Sequence, residues 1–408
     1  MNNTKEISNM SIISTLSRMI FGNDRTAACG TSTNAPAEKQ QSAPQQSAQA
    51  TKQSAPSASL HKTVYDHTGA ALQLPEDNVV ARGREGTVYS LPQKDDILVK
   101  LYNRHLLDDQ DKYQRNTERL LALFKLGRKL KQSYFAWPEL LVFDKNKKVI
   151  GFAMCKCEGV SFRALGSIAT IKRHFPDWTR RELALTALDF ISKLRVLQDN
   201  GVLVNDFNPS NFLVDRNCNV SFIDCDSFQI ADGSKIHVNN TFVPTHCAPE
   251  LLKNKLLLDL PRNIHHQEFG AAIIIFNLLM CGLHPFAYHD PSQVTACGTP
   301  EENLLNGRCP LGVGAGCKFP IGNWYNLWSW TSHNVKGGFI RTFRDGHSKP
   351  IARTSLTDWE KYLHEMLVQM SKYAERAEIF PTQPNLKAAG GKRFHSGKRV
   401  YNNLQPSI

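Results

Sequence analysis

The stretch Val204-Asn205-Asp206-Phe207-Asn208-Pro209-Ser210-Asn211-Phe212-Leu213-Val214, followed by Val220-Ser221-Phe222-Ile223-Asp224-Cys225-Asp226, decides how this chain is read. The apolar runs at Phe212–Val214 and Val220–Ile223 predict two short strands. Asp206 precedes Asn211 by five positions, and Asp224 follows Asn211 by thirteen, at the end of an apolar strand. Asp and Asn at a turn can simply cap it, but the joint spacing of the three argues for convergence. A carboxylate and an amide that meet in a cleft can hold magnesium against phosphate oxygens. A second carboxylate can take the proton of an attacking hydroxyl.

Upstream, the pattern is strand-like. Val79-Val80-Ala81 leads into the turn Gly83-Arg84-Glu85-Gly86, and Thr87-Val88-Tyr89-Ser90-Leu91 leads out of it. Glycines in such a turn let backbone amides approach phosphates, because no Cβ intervenes. Ile97–Tyr102 predicts a third strand and carries Lys100, a cation in an apolar run that needs solvent or an anion. Residues 106–132 have helical periodicity and carry Glu118, a plausible partner for Lys100. Leu140–Phe143 and Val149–Met154 predict a hairpin. Beyond residue 160 the pattern turns helical, most clearly at 180–198 and 268–282. Ala248-Pro249-Glu250 stands twenty-six residues after Asp224, and Arg353 lies just ahead of a helix that starts near Leu356.

The chain has 408 residues, 41% hydrophobic and 21% charged, which excludes a chain that is disordered throughout. No apolar run is long enough to span a membrane, and Ser11–Leu16 is too short and polar for a signal-peptide core. Residues 11–21 predict a short amphipathic helix. Residues 31–59, rich in Ala, Gln, Ser and Pro, cannot repay the entropy of folding. Order is expected from about Val64. The net charge is +12, but residues 1–62 hold six basic and three acidic side chains, and 387–408 hold five basic and none acidic. The ends therefore carry eight of the twelve excess charges, as solvated tails would, and a nucleic-acid partner is not expected. The ten cysteines are scattered among apolar runs, as reduced thiols are. Cys297, Cys309 and Cys317 with His289 match no tight zinc-ligand spacing.

Taken in order, the glycine turn, strand Lys, helix Glu, Asp206, Asn211, Asp224 and Ala-Pro-Glu resemble a protein kinase over roughly residues 76–371. The fold implied is α+β and two-lobed, with a β-rich N-lobe (76–155) and an α-helical C-lobe (156–371). A disordered segment (1–62) precedes it and a basic tail (387–408) follows. Phe135-Ala136-Trp137-Pro138, Gly151-Phe152-Ala153-Met154, Asp224-Cys225-Asp226-Ser227-Phe228-Gln229 and Gly282-Leu283-His284-Pro285-Phe286 are similar to a bacterial kinase-like family. Its members often accompany a PP2C-type phosphatase and a von Willebrand A protein in tellurium-resistance-type operons.

The resemblance implies an atypical serine/threonine kinase that uses ATP and Mg²⁺. Gly83, Gly86, Val88, Met154 and Cys157 would line the ATP site, and Lys100 would bind the α and β phosphates while paired with Glu118. Asp206 would be the catalytic carboxylate, Asn211 and Asp224 the metal ligands, and Glu250–Arg353 a buried ion pair. A protein substrate, with a PP2C phosphatase or a von Willebrand A protein as partner, is implied too. Four departures stand out. Asn205 replaces the Arg that answers activation-loop phosphorylation, so no such control is expected. Asn208 replaces a phosphate-neutralising Lys, which weakens transition-state stabilisation. Asp226 replaces a Gly, and Gln267 stands near a usual buried Asp. A nucleotide-binding pseudokinase scaffold is the alternative. The cytoplasm is the expected location; the polar start and low-complexity linker suggest instead an effector secreted into a host cell.

Overall fold

The computed structural model describes residues 61–91, 94–130, 132–287, 298–312, 318–320 and 322–381. The 11–21 helix, the 31–59 linker, the 387–408 tail, His289, Cys297 and Cys317 lie outside them, so the delivery and zinc readings do as well. The chain divides into two compact units, one formed by residues up to Tyr113 with Pro138–Lys156, the other by Gln114–Trp137 and the chain from Cys157 onward.

The first unit is a seven-stranded antiparallel sheet. Its strands are β1 (His61–Tyr65), β2 (Ala71–Pro75), β3 (Val79–Arg82), β4 (Gly86–Leu91), β5 (Lys94–Tyr102), β6 (Leu140–Phe143) and β7 (Val149–Cys155), in the spatial order β2-β1-β6-β7-β5-β4-β3. Alternating apolar residues of β4 and β5 point inward, and Val64, Leu74, Tyr89, Val99, Val142 and Ala153 form the core. The β1–β2 hairpin extends the sheet ahead of residue 76, where the kinase resemblance begins. Asp66 closes its turn by accepting from Thr68 N, Thr68 Oγ1 and Ala70 N at 2.6–2.9 Å.

The second unit is mainly helical. Helix α1 (Gln110–Leu130) joins it through most of its length. Helix α2 (Arg180–Asp199) packs against α3 (Ile264–Leu279), and α4 (His333–Ile340) and α5 (Leu356–Lys372) complete the layer. Capping boxes set two of the starts: Thr179 with Glu182 opens α2, and Asn263 with His266 opens α3. The second box places the start of α3 four residues before the apolar run from 268. Short strands β8 (Val160–Ser161), β9 (Val202–Leu203), β10 (Phe212–Val214), β11 (Val220–Phe222), β12 (Gln229–Asp232) and β13 (Lys235–His237) make two three-stranded sheets. A sheet unit followed by a helical one is consistent with a two-lobed, kinase-like α+β fold.

Candidate active site

In the helical unit, the loop between β9 and β10 is fixed from several sides. Its first amide, Val204 N, donates to Gln267 Oε1 at 2.9 Å, and the buried Gln267 in turn donates to Gln198 Oε1. The buried Gln267, a departure from the Asp that the resemblance implies near there, thus fixes the start of the loop. Phe207 lies against Gly270 of α3 so closely that a Cβ on Gly270 would come within 2.3 Å of the ring. Asn208 Oδ1 accepts from Ser210 N, and Asn208 O accepts from Asn211 N at 2.9 Å. The β10–β11 register, Phe212 opposite Phe222, then places Asn211 and Asp224 at the same end of one hairpin. Ile223 N donates to Asn211 O at 2.9 Å and closes that end.

The three expected polar groups meet there. Asn211 Nδ2 donates to Asp206 Oδ2 at 3.3 Å, whereas Asp206 Oδ1 is buried without a partner. Burial first, and then the charge of Asp224, raise the Asp206 carboxyl to about 6. Asp224 is held in the left-handed region (φ 59°), and its carbonyl accepts from Ser227 N and Oγ. An orphaned carboxylate oxygen and a second carboxylate that disfavours its charge fit a site built for a divalent cation. Asn211 and Asp224, beside Asp206, are the donors that would hold Mg²⁺.

The segment after Asp224 is tied down by groups that sequence spacing did not expose. Arg119 of α1 is buried and donates to Asp226 O at 2.9 Å, Val238 O at 3.1 Å and Asn116 Oδ1 at 2.8 Å. Asn205 Nδ2 donates to Asn239 O, and Asn239 Nδ2 to Ser227 O, each at 2.8 Å. Glu118 accepts from Lys235 Nζ at 2.5 Å and from Gln114 Nε2 at 3.2 Å, and the Lys235 bond holds its carboxyl below the usual range. Glu250 and Arg353 form the expected bidentate pair at 2.8 and 2.7 Å, with the Arg353 side chain fully buried. Cys157 Sγ lies 3.9 Å from Ser133 O.

A cleft of about 440 Å³ opens beside the Asp206 loop. It is lined by Asn208, Pro209, Val243, Thr245, His246 and His284, among others. Burial pushes His246 down to about 3 and His284 to about 4, so both are neutral at neutral pH. His284 Nδ1 accepts from Phe286 N, which leaves Nε2–H to donate to Thr245 O at 2.9 Å.

In the sheet unit, Lys100 is 5% exposed and sits in register between Val88 of β4 and Phe152 of β7. Its Nζ lies 6.0 Å from the centre of the Phe152 ring. Gly83 N donates to Gly86 O at 2.8 Å and closes the glycine turn. A Cβ on Gly86 would meet Leu101 O at 2.6 Å, so only glycine fits β4 against β5 there. Asn103, unremarked in the sequence, braces the turn by donating Nδ2 to Gly83 O at 3.0 Å and Arg84 O at 2.9 Å. Met154 is buried opposite Leu98, and Glu139 bonds Cys155 while burial raises its carboxyl.

Sequence comparison finds relatives among protein kinases. The chain is 28% identical over 233 residues to "Protein kinase YegI" of Escherichia coli O157:H7, which is 56% of this chain and 34% of that protein. It is 28% identical over 229 residues to the protein of the same name in strain K12, covering 55% and 34%. The chain thus spans about a third of the length of the curated relatives it matches. No family model matches the chain.

Proposed function

We propose that this chain is an atypical protein kinase that transfers the γ-phosphoryl group of Mg²⁺-ATP to a Ser or Thr hydroxyl of a protein. The observation that carries it is the meeting of Asp206, Asn211 and Asp224 at one end of the β10–β11 hairpin. Asp206 accepts the hydroxyl proton as attack proceeds. Asn211 and Asp224 hold Mg²⁺, which supplies charge neutralisation at the phosphate oxygens. The amides of the Gly83–Gly86 turn cover the phosphates, and Lys100 binds them. The resemblance gives Glu118 as the partner of Lys100, whereas in the structure Glu118 accepts from Lys235. Val88, Met154 and Cys157 contact the nucleotide. The cleft beside Asn208 and Pro209 receives a residue flanking the acceptor, and its neutral histidines offer no charge to that residue. The resemblance adds a PP2C phosphatase or a von Willebrand A protein as partners.

Asn208, in place of a lysine, favours a second reading as a nucleotide-binding scaffold without turnover. Purified chain with Mg²⁺-ATP separates the two. Autophosphorylation or transfer in the wild type that disappears in Asp206→Ala and Asp224→Ala supports the kinase. ATP binding with no transfer in any of the three supports the scaffold.

A further inference from the structure

The helical unit holds a second concentration of charge that the kinase reading does not use. Arg180, the first residue of α2, has no exposed surface. Its Nη2 donates to Thr331 Oγ1 at 3.0 Å and its Nη1 to Arg376 O at 3.5 Å, while its buried Nε has no partner. Lys336, 4% exposed in the first turn of α4, donates to Ser329 O at 2.9 Å. Arg376 gives Nη1 to Gln369 Oε1 at 2.6 Å, and its buried Nε is also unpartnered. Ser332 is the N-cap of α4. It is 3% exposed, its hydroxyl caps no amide, and its Oγ has no partner.

Among the described residues, no carboxylate forms an ion pair with Arg180, Lys336 or Arg376. Burial lowers Arg180 to about 10 and Lys336 to about 7, and the charges that reach Lys336 are those of Arg180 and Arg376. Buried cations are ordinarily paired. Here two buried cations, Arg180 and Lys336, the latter over the Trp328 ring, and the half-buried Arg376, over the Tyr373 ring, lie near an idle hydroxyl on a helix N-terminus, whose amides and dipole favour an anion. We propose that Arg180, Lys336, Arg376 and the Ser332 end of α4 form a binding site for a small free oxyanion of the phosphate or sulfate type. The near-complete burial of Arg180 and Lys336 selects a free ion over a phosphorylated peptide. A cleft of about 460 Å³ lies close by, lined by Leu327, whose carbonyl takes the Thr331 hydroxyl, and by Cys281, which feels the Arg180 charge; the four residues themselves do not line it.

The test is calorimetric titration of the full chain with inorganic phosphate at neutral pH, against chloride at equal ionic strength, with unfolding temperature followed in parallel. Saturable binding of about one ion per chain and a rising unfolding temperature are expected. Lys336→Met should weaken binding by about tenfold or more and Ser332→Ala by a few-fold. Lys100→Met should leave binding unchanged, which separates this site from any phosphate bound in the nucleotide site. If Lys336→Met does not fold, Ser332→Ala carries the test. An absence of saturable binding would mean that the cluster holds only buried water, and the proposal falls. It falls equally if wild type and Ser332→Ala respond alike, or if a phosphoserine peptide competes with phosphate for the site.

Discussion

Asp206 joins chemistry to stability through one side chain. Its carboxyl is raised to about 6 in the folded chain against an ordinary value of 3.8, because it is buried and faces Asp224. A carboxyl raised by folding favours the folded state fully below the unfolded value, and that stability is lost as pH rises through the folded value. The metal-free protein should therefore gain up to about 3 kcal/mol as pH falls from above 6 to below 4. Asp206→Asn should abolish that gain and raise the metal-free unfolding temperature at neutral pH. The same substitution should lower phosphoryl transfer by a factor of about 10² to 10⁴, since it removes the proton acceptor, with ATP binding kept. Unfolding scans across pH and a turnover assay check both halves. In turnover, the wild-type rate should climb as pH rises toward and through 6.

At the scale of elements, the glycine turn and the Asp206 loop each depend on a close approach. Gly86→Ala would drive a Cβ to 2.6 Å from Leu101 O, a backbone atom that cannot swing away. It should raise the KM for ATP more than it lowers kcat. Asn103→Ala should do so more mildly, and cost about 1 kcal/mol or less of stability per hydrogen bond lost. Gly270→Ala should displace Phe207 and lower kcat, with the KM for ATP little changed. Steady-state kinetics and thermal unfolding distinguish the three.

The strands around these sites could be read beforehand, because Thr87–Leu91, Ile97–Tyr102 and Leu140–Phe143 have the β-branched, alternating character that pleated packing requires. Asp206, Asn211 and Asp224 could be singled out because two of them lie in one short loop and the third ends the adjoining strand. The β1–β2 hairpin was less legible: His61–Tyr65 and Ala71–Pro75 are half polar, as suits a sheet margin. The anchoring by Arg119 could not be read, since its partners Asp226 and Val238 lie 107 and 119 positions away and a single buried Arg on a helix has no periodic signature. Gln267 was visible as a departure, but its bond to Val204 N depends on how α3 crosses the loop.

At the scale of the whole chain, the Glu250–Arg353 pair spans 103 positions and joins the end of the segment after Asp224 to the turn before α5. Arg353 also holds Gly346 O and His265 O. Removing one partner of such a pair leaves the other buried and unmatched. Arg353→Met should therefore cost about 3–5 kcal/mol by denaturant unfolding, and Glu250→Gln, which keeps a hydrogen-bonding partner, should cost less. The β1–β2 hairpin has a mechanical meaning. β1 and β2 share five register pairs, whereas β1 meets β6 through a single one, Tyr65 opposite Phe143. Tension applied at the amino end is therefore delivered to a ribbon stitched firmly to itself and lightly to its neighbour. Pulled in an optical trap, the hairpin should peel away as one piece at low force, before β3 to β7 give way in a larger rip.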